Sequence, residues 1–540
     1  MRTILRMTSP AVPSPESSPS NRSSLTIRNG RVGGRIVDLR CLDGRITAIE
    51  AAGTLEPNGG ASIDARDGWI LPGFVDAHVH LVLAGTVSDQ IDLTGCPDRA
   101  TFEARIEQGL QSLEDDAWLI AHGWLETDWG GEIPDASWLA AAGDRPAVCI
   151  KHDHHACLVN PAALAIALDR FGDRTCPPGG EIVRDAQGQP TGLMLESAAW
   201  MIVNPVVPQP TLESRRSTTT EAARHLASLG FTAVGSMEYA EEMVDVLHPV
   251  RDELAVRVMV TMLDRALPID EPLSRLERLS VHSHLELLGC KAFLDGTYGS
   301  RTAAMLADFS DTPGNAGMLV ELAERNELLE WIEFVVRRGH SPSMHAIGDR
   351  AARLALDACD HAEQITLDTG IARPMLRVEH CQAVDASDIP RFGVSTKRIA
   401  SMQPIHMLDD GPTVEKALGA ERLDSFFPTR AIAEAGGRLA FGSDWPIADP
   451  CPMEGIRIAV TGRDRSGRVV PGDRTITAAQ AAHAYTVEAR LALGLPPVST
   501  AIGDPADLVI LDLDPSVVDW ATETPTVLAT VCNGKATFLS

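Results

Sequence analysis

The sequence predicts an α/β protein: a (β/α)8 barrel of the TIM type, a small sheet domain built from both chain ends, and an insertion near the barrel mouth. Three observations predict it. Apolar strand candidates alternate with amphipathic helical stretches through the middle of the chain, as in "HLELLGCKAFL", "ERNELLEWIEFVVRRG", "HSPSMHA" and "DRAARLALDACDHAEQI", and alternation over such a length points to a barrel. Short β-rich segments with Asn-Gly and Asp-Gly turns occupy both ends, "SLTIRNGRV" and "GRIVDLRCLDGRITAIEA" at one, "GDPADLVILDLDP" and "TVLATVCNGKATFLS" at the other. Residue types that bind metals recur at the ends of the predicted barrel strands.

Taken in order, residues 1–24 are Pro/Ser-biased, lack the apolar segment of a secretory signal, and read as a disordered tail. Residues 25–73 form the first part of the small domain and 74–484 the barrel. About 85–216 is the insertion, because alternation is poor there and Pro, Gly and Trp are frequent. Residues 485–540 supply a helix and the second part of the small domain. A chain of 540 residues has room for this arrangement. Its net charge of −27 argues against nucleic acid and anionic membranes as partners, and no run is long enough to span a bilayer. Ten cysteines are scattered singly, without a CxxC pair. They argue against a zinc ribbon or disulfide framework and for a reducing, cytoplasmic location.

"LPGFVDAHVHL" places His78 and His80 two residues apart at the end of a buried strand, so both rings face one side. "SPSMHAIGD" ends a strand at His345, "MLRVEHCQ" at His380, and "LAFGSDWP" at Asp444, between Gly442 and Pro446. In a parallel barrel the C-terminal strand ends converge on one mouth. Imidazoles and a carboxylate gathered there suit a divalent metal. Lys291, inside the apolar pattern "HLELLGCKAFLDG", has two readings. It pairs with Asp295 or reaches the rim, or it is carboxylated by carbon dioxide to an anionic carbamate able to bridge two cations.

The ordered set His78/His80, Lys291, His345, His380 and Asp444 resembles the amidohydrolase superfamily of metal-dependent hydrolases. Longer strings resemble its YtcJ-like branch, which includes N-substituted formamide deformylase: "HGWLETDWGG", "HHACLVNPAAL", "GGEIVRDAQGQPTGLMLE", "KAFLDGTYGSRTAAM", "MHAIGDRA", "SMQPIHM", "FGSDWPI" and "IGDPADLVILD". The similarity covers nearly everything after the tail. It implies that the small domain is a β-sandwich. It implies that His78, His80 and Asp444 hold the more buried metal, and that Lys291, as carbamate, bridges to a second held by His345 and His380. Two zinc ions are expected, with iron, manganese, cobalt or nickel as substitutes. The implied reaction is hydrolysis of a C–N bond in a small-molecule amide, N-substituted formamides included. Metal-bound hydroxide attacks the carbonyl and Asp444 shuttles the proton to the leaving nitrogen.

His155 matches a histidine near the substrate in relatives, although His154 precedes it where Gly is often found. His406 and Arg301 fall in family strings and line the pocket, or serve as a loop cap and the partner of a rim acid such as Asp308. Trp124, with Trp129, walls an apolar pocket or is simply packed. Esters and lactones would use the same site unchanged. A deaminase ranks lower, since "HAIGDRA" has no Glu after His345, and a non-catalytic scaffold lower still, since every ligand position is filled. A homodimer through an exposed edge of the small domain is compatible with all of this.

Overall fold

The computed structural model describes residues 24–540 except 58, 115, 173–175, 178, 264–268 and 373. The tail expected over 1–24 therefore lies outside the described residues, apart from Ser24, which opens the first strand. The barrel strands are β1 (Phe74–Val79), β2 (Phe231–Glu238), β3 (Arg257–Met262), β4 (Leu285–Phe293), β5 (Ser341–Ala346), β6 (Leu376–His380), β7 (Arg398–Met402) and β8 (Arg438–Phe441). They pair in parallel in the order β8-β7-β6-β5-β4-β3-β2-β1. Strands β1, β2, β5, β6 and β7 are buried at every position, as parallel strands covered on both faces must be.

The ends of this sheet meet at the residues of interest. Val79 bridges Trp445 in parallel. Asp444 N–H donates to the His78 carbonyl and His80 N–H to the Trp445 carbonyl, both at 2.7 Å. Gly442 permits the approach, since a Cβ there would sit 2.7 Å from both Asp76 Oδ1 and His78 N. The TIM-like barrel is thus nearly closed, and its seam carries the candidate ligands.

The insertion is shorter than 85–216. Helix α1 (Leu81–Val87) packs against helix α2 (Leu212–Ser228), and both belong to the barrel layer. Between them lies a folded unit with a six-stranded sheet, Ile91–Asp92, Leu119–Trp124, Ala147–Lys151, Ala156–Val159, Gly180–Arg184 and Pro190–Glu196. It has an apolar cluster around Phe102, Trp124 and Trp138, and another around Val159, Met194 and Ile202. Short strands of mixed direction, separated by turns, hide this order from a search for βα alternation.

Both chain ends join, as expected, but into one hydrogen-bonded sheet of eight strands drawn from Ser24–Pro72 and Leu508–Leu539. The expected sandwich narrows to that. Asp507, wholly buried, ties this sheet to the barrel through Arg257 (3.0 Å) and Arg490 (3.1 Å). The helix Val487–Ala492, expected with the small domain, instead packs Ala489 and Ala492 against Val75, Ala77, Ile399 and Ala440 of the barrel. All ten cysteines are free, and no helix among the described residues is long and apolar enough to cross a membrane.

Candidate metal centre

Four histidines and an aspartate from four strand ends meet at the barrel mouth. Asp444 Oδ1 lies 3.3 Å from His78 Nε2 and 3.2 Å from His80 Nε2. One donor atom each from His78, His380 and Asp444 falls within 4.8 Å of the others. The His345 and His380 rings are 4.5 Å apart at their centroids. The five residues thus form one cluster, and its tightest trio crosses the two ligand sets expected from the sequence.

Each ring is oriented by its other nitrogen. His78 Nδ1 meets Glu379 Oε2 at 2.8 Å, His80 Nδ1 the Met237 carbonyl at 3.1 Å, and His380 Nδ1 Gln403 Oε1 at 2.9 Å. His345 Nε2 meets the Gly296 carbonyl at 3.2 Å. Such partners fix the tautomer and leave the opposite nitrogen as a lone-pair donor. Burial, then the charge of Lys291, lowers His78 to about 4. Burial acts first on His345 and His380 as well, with Lys291 and His345 the next causes respectively, and both lie well below the ordinary imidazole value. Burial resists ionisation of Asp444, but His78, His80 and His380 outweigh it and hold the carboxyl well below its usual range. His380 (φ 73°) and Asp444 (φ 63°) adopt the left-handed region, strain of the kind found at functional sites.

Asp444 Oδ1 is buried yet accepts no hydrogen bond. An acceptor left so among neutral imidazoles is costly unless a cation joins it, and this donor set fits a divalent ion. Lys291 is 1% exposed, with Nζ 3.3 Å from His78 Nε2. Asp295, its alternative partner, instead accepts the backbone N–H groups of Ala304, Ile347 and Gly348.

A cavity of about 470 Å3 opens over the cluster, lined by His345, His380 and Asp444 below and by Glu126, Ile133, His152 and His155 of the insertion above. His155 Nδ1 is held by Glu196 Oε2 at 2.8 Å. His406 also lines the cavity, with Nε2 3.2 Å from the Ser443 carbonyl. Arg301 lines it too, but its ion pair is with Asp311 (2.6 Å) rather than Asp308. Trp124 does not line it. Its indole N–H donates to the Cys149 carbonyl (2.9 Å) and its ring stacks on Trp129, inside the insertion's apolar cluster. The packing alternative holds for Trp124.

Sequence reasoning missed Glu379, paired with Arg377 at 2.8 Å, and also Glu196, Gln403 and the acids of the cavity wall. The first pair left a signal: two charges at i and i+2 within "LRVEH", the same anomaly that singled out Lys291.

The profile of the amidohydrolase family matches residues 61–538. The chain belongs to the amidohydrolase family. It is 32% identical to Protein LONG AFTER FAR-RED 3 of Arabidopsis thaliana, over 81% of this chain and 74% of that one. It is 29% identical to YtcJ of Bacillus subtilis (strain 168), over 87% and 89%. It is 25% identical to N-substituted formamide deformylase of Arthrobacter pascens, over 88% and 89%. A solved structure of an uncharacterized metal-dependent hydrolase from Pyrococcus furiosus shares the fold, with a TM-score of 0.69 and 24% identity over 92% and 100%. The YtcJ-like resemblance holds.

Proposed function

We propose that this amidohydrolase cleaves the C–N bond of a small amide, with N-substituted formamides the first substrates to try. The buried, unpartnered Oδ1 of Asp444 between two imidazoles carries the reading. His78, His80, His345, His380 and Asp444 would hold one or two divalent ions, zinc foremost. Such ions, when bound, polarise a carbonyl oxygen and lower the pKa of water from about 15.7 to about 7.

The chain's own groups do the rest. Asp444, kept ionised by its histidine neighbours, accepts a proton from the attacking water as the C–O bond forms. It returns that proton to the amine nitrogen as the C–N bond breaks, giving a carboxylic acid and an amine. His155, steadied by Glu196, lines the cavity and serves as a donor for the developing oxyanion. Lys291 Nζ, deprotonated, adds to carbon dioxide and releases a proton, and the resulting carbamate replaces an ammonium that the cluster cannot accommodate beside metal cations. The name of the Arthrobacter pascens relative supports formamides.

The deciding experiment measures metal per chain in protein purified without chelator and in bicarbonate, alongside formate release from N-substituted formamides. About two equivalents, falling on Lys291→Ala, is the expected result. About one, indifferent to Lys291, removes the carbamate. No binding on addition of zinc, manganese or iron overturns the reading.

A further inference from the structure

We infer that Asp410 and Gln382 form the recognition end of the cavity and select substrates bearing a cationic amine, so that the preferred amide is an N-acylated diamine or a similar ammonium-bearing compound. The inference rests on amide hydrolysis as the reaction. It begins with an accounting of charge around the cavity, which is lined by Glu126, Asp153, Asp311, Asp409 and Asp410 besides Asp444. Glu126 and Asp153 share Lys151, at 3.0 and 3.3 Å. Asp311 has Arg301 at 2.6 Å. Asp409 has Arg465 at 2.6 Å and His152 at 3.6 Å. Among the described residues no basic side chain is in ion-pair contact with Asp410. Lys416, the other cation on the cavity wall, is exposed, and its charge acts on Asp311.

A second observation, independent of the acids, points to the same kind of ligand. His406 Nε2–H donates to the Ser443 carbonyl at 3.2 Å, so His406 Nδ1 is the acceptor for Gln382 Nε2, also at 3.2 Å. This chain of bonds fixes which way the amide points. Gln382 Oε1 is then the outward atom, buried and without a donor, in a residue 2% exposed that lines the cavity. Gln382 follows the metal-ligand strand β6, and Asp410 lies in the helix Met407–Leu418 after β7, so the two acceptors come from adjacent strand ends. A carboxyl group hydrogen-bonded by Gln382 but without a basic partner, beside an amide oxygen without a donor, calls for a group with several N–H donors and a positive charge. A primary ammonium supplies both.

The test uses metal-loaded enzyme and N-acetyl-α,ω-diaminoalkanes with two to five methylenes, each matched to the neutral N-alkylacetamide of equal length. Calorimetry should give a cationic preference of about tenfold or more at the best length, falling toward one in Asp410→Asn and recovering in part in Asp410→Glu. Equal affinity for charged and neutral partners at every length in the unmodified enzyme overturns the inference, as does absence of binding or a preference that survives Asp410→Asn. Because the first comparison needs no variant, it stands even where Asp410→Asn misfolds. Cationic probes that bind selectively yet release no acetate would defeat amide hydrolysis and leave the recognition site standing. Release of acetate without cationic preference would do the reverse.

Discussion

On the floor of the cavity, His78, His80, His345 and His380 sit at strand ends, and each has its second nitrogen committed to a barrel partner. On the wall, Glu126, His152, Asp153 and His155 come from the insertion and are held by ion pairs, two of which involve a group 20% exposed or nearly so. The floor is a rigid constellation suited to holding a cation. The wall is a set of charges that a different insertion could replace. The difference teaches how one barrel can keep a reaction and change its substrate: the two tasks sit on separate pieces of chain.

That separation can be broken by experiment. His155→Gln removes a wall donor whose ring lies 5.9 Å from that of His345 while leaving every floor residue in place. It should lower kcat about 100-fold, the order seen for loss of one oxyanion donor, while the metal content stays as in the unmodified enzyme. Loss of metal in His155→Gln would mean that wall and floor are one structure.

Glu379→Gln tests the floor in the opposite way. It lies behind His78 and away from substrate, so it is a positioning residue. Metal affinity should fall about 10–100-fold, the usual cost of removing such a partner. The chain should also melt earlier, because Arg377, wholly buried, loses its countercharge. A titration with a competing chelator, beside a thermal melt, separates the two effects. Unchanged metal affinity would show that the Glu379 charge does not tune His78.

The same division explains what could be read from the sequence. "HVH", "MHA", "VEH" and "GSD" are short strings because each strand end delivers only one or two side chains to the mouth, alternate positions sharing a side, and the barrel does the rest of the assembly. Lys291 stood out because a lysine seldom belongs in an apolar strand. Nothing comparable marks His155 with Glu196, which are 41 residues apart, one just before a strand of the insertion and the other at the end of another. Their meeting depends on a sheet whose short, mixed strands carry no long period. Trp124 misled for the same reason: an aromatic beside the site in sequence faces the insertion's own core once that sheet exists. The end sheet was legible from its Asn-Gly turns, but pairing order was not, since turns fix only neighbouring strands.

The smallest effect concerns pH, and its sign differs between the two regions. On the wall, burial disfavours the His152 imidazolium, but Asp409 outweighs it and raises the pKa above 6.5. Asp409 is lowered from 3.8 to about 2, again against burial, by His152 and Arg465. The pair's stabilisation is therefore full between about 3.8 and 6.5. It fades as pH rises through the raised value of His152 and as pH falls toward about 2. The difference between the unmodified chain and His152→Gln in urea unfolding should be about 1 kcal/mol or less, both groups being partly exposed, and larger at pH 5 than at pH 8.5. On the floor, His78 is lowered from 6.5 to about 4. A depressed histidine binds protons better when unfolded, so metal-free protein should lose stability as pH falls from 6.5 toward 4, and replacing His78 should reduce that loss. Slopes of opposite sign on the two sides of about pH 6.5 are expected, because one histidine keeps its proton for a carboxylate and the other keeps its lone pair for a metal. Slopes of one sign on both sides would mean that the wall and the floor titrate as a single network.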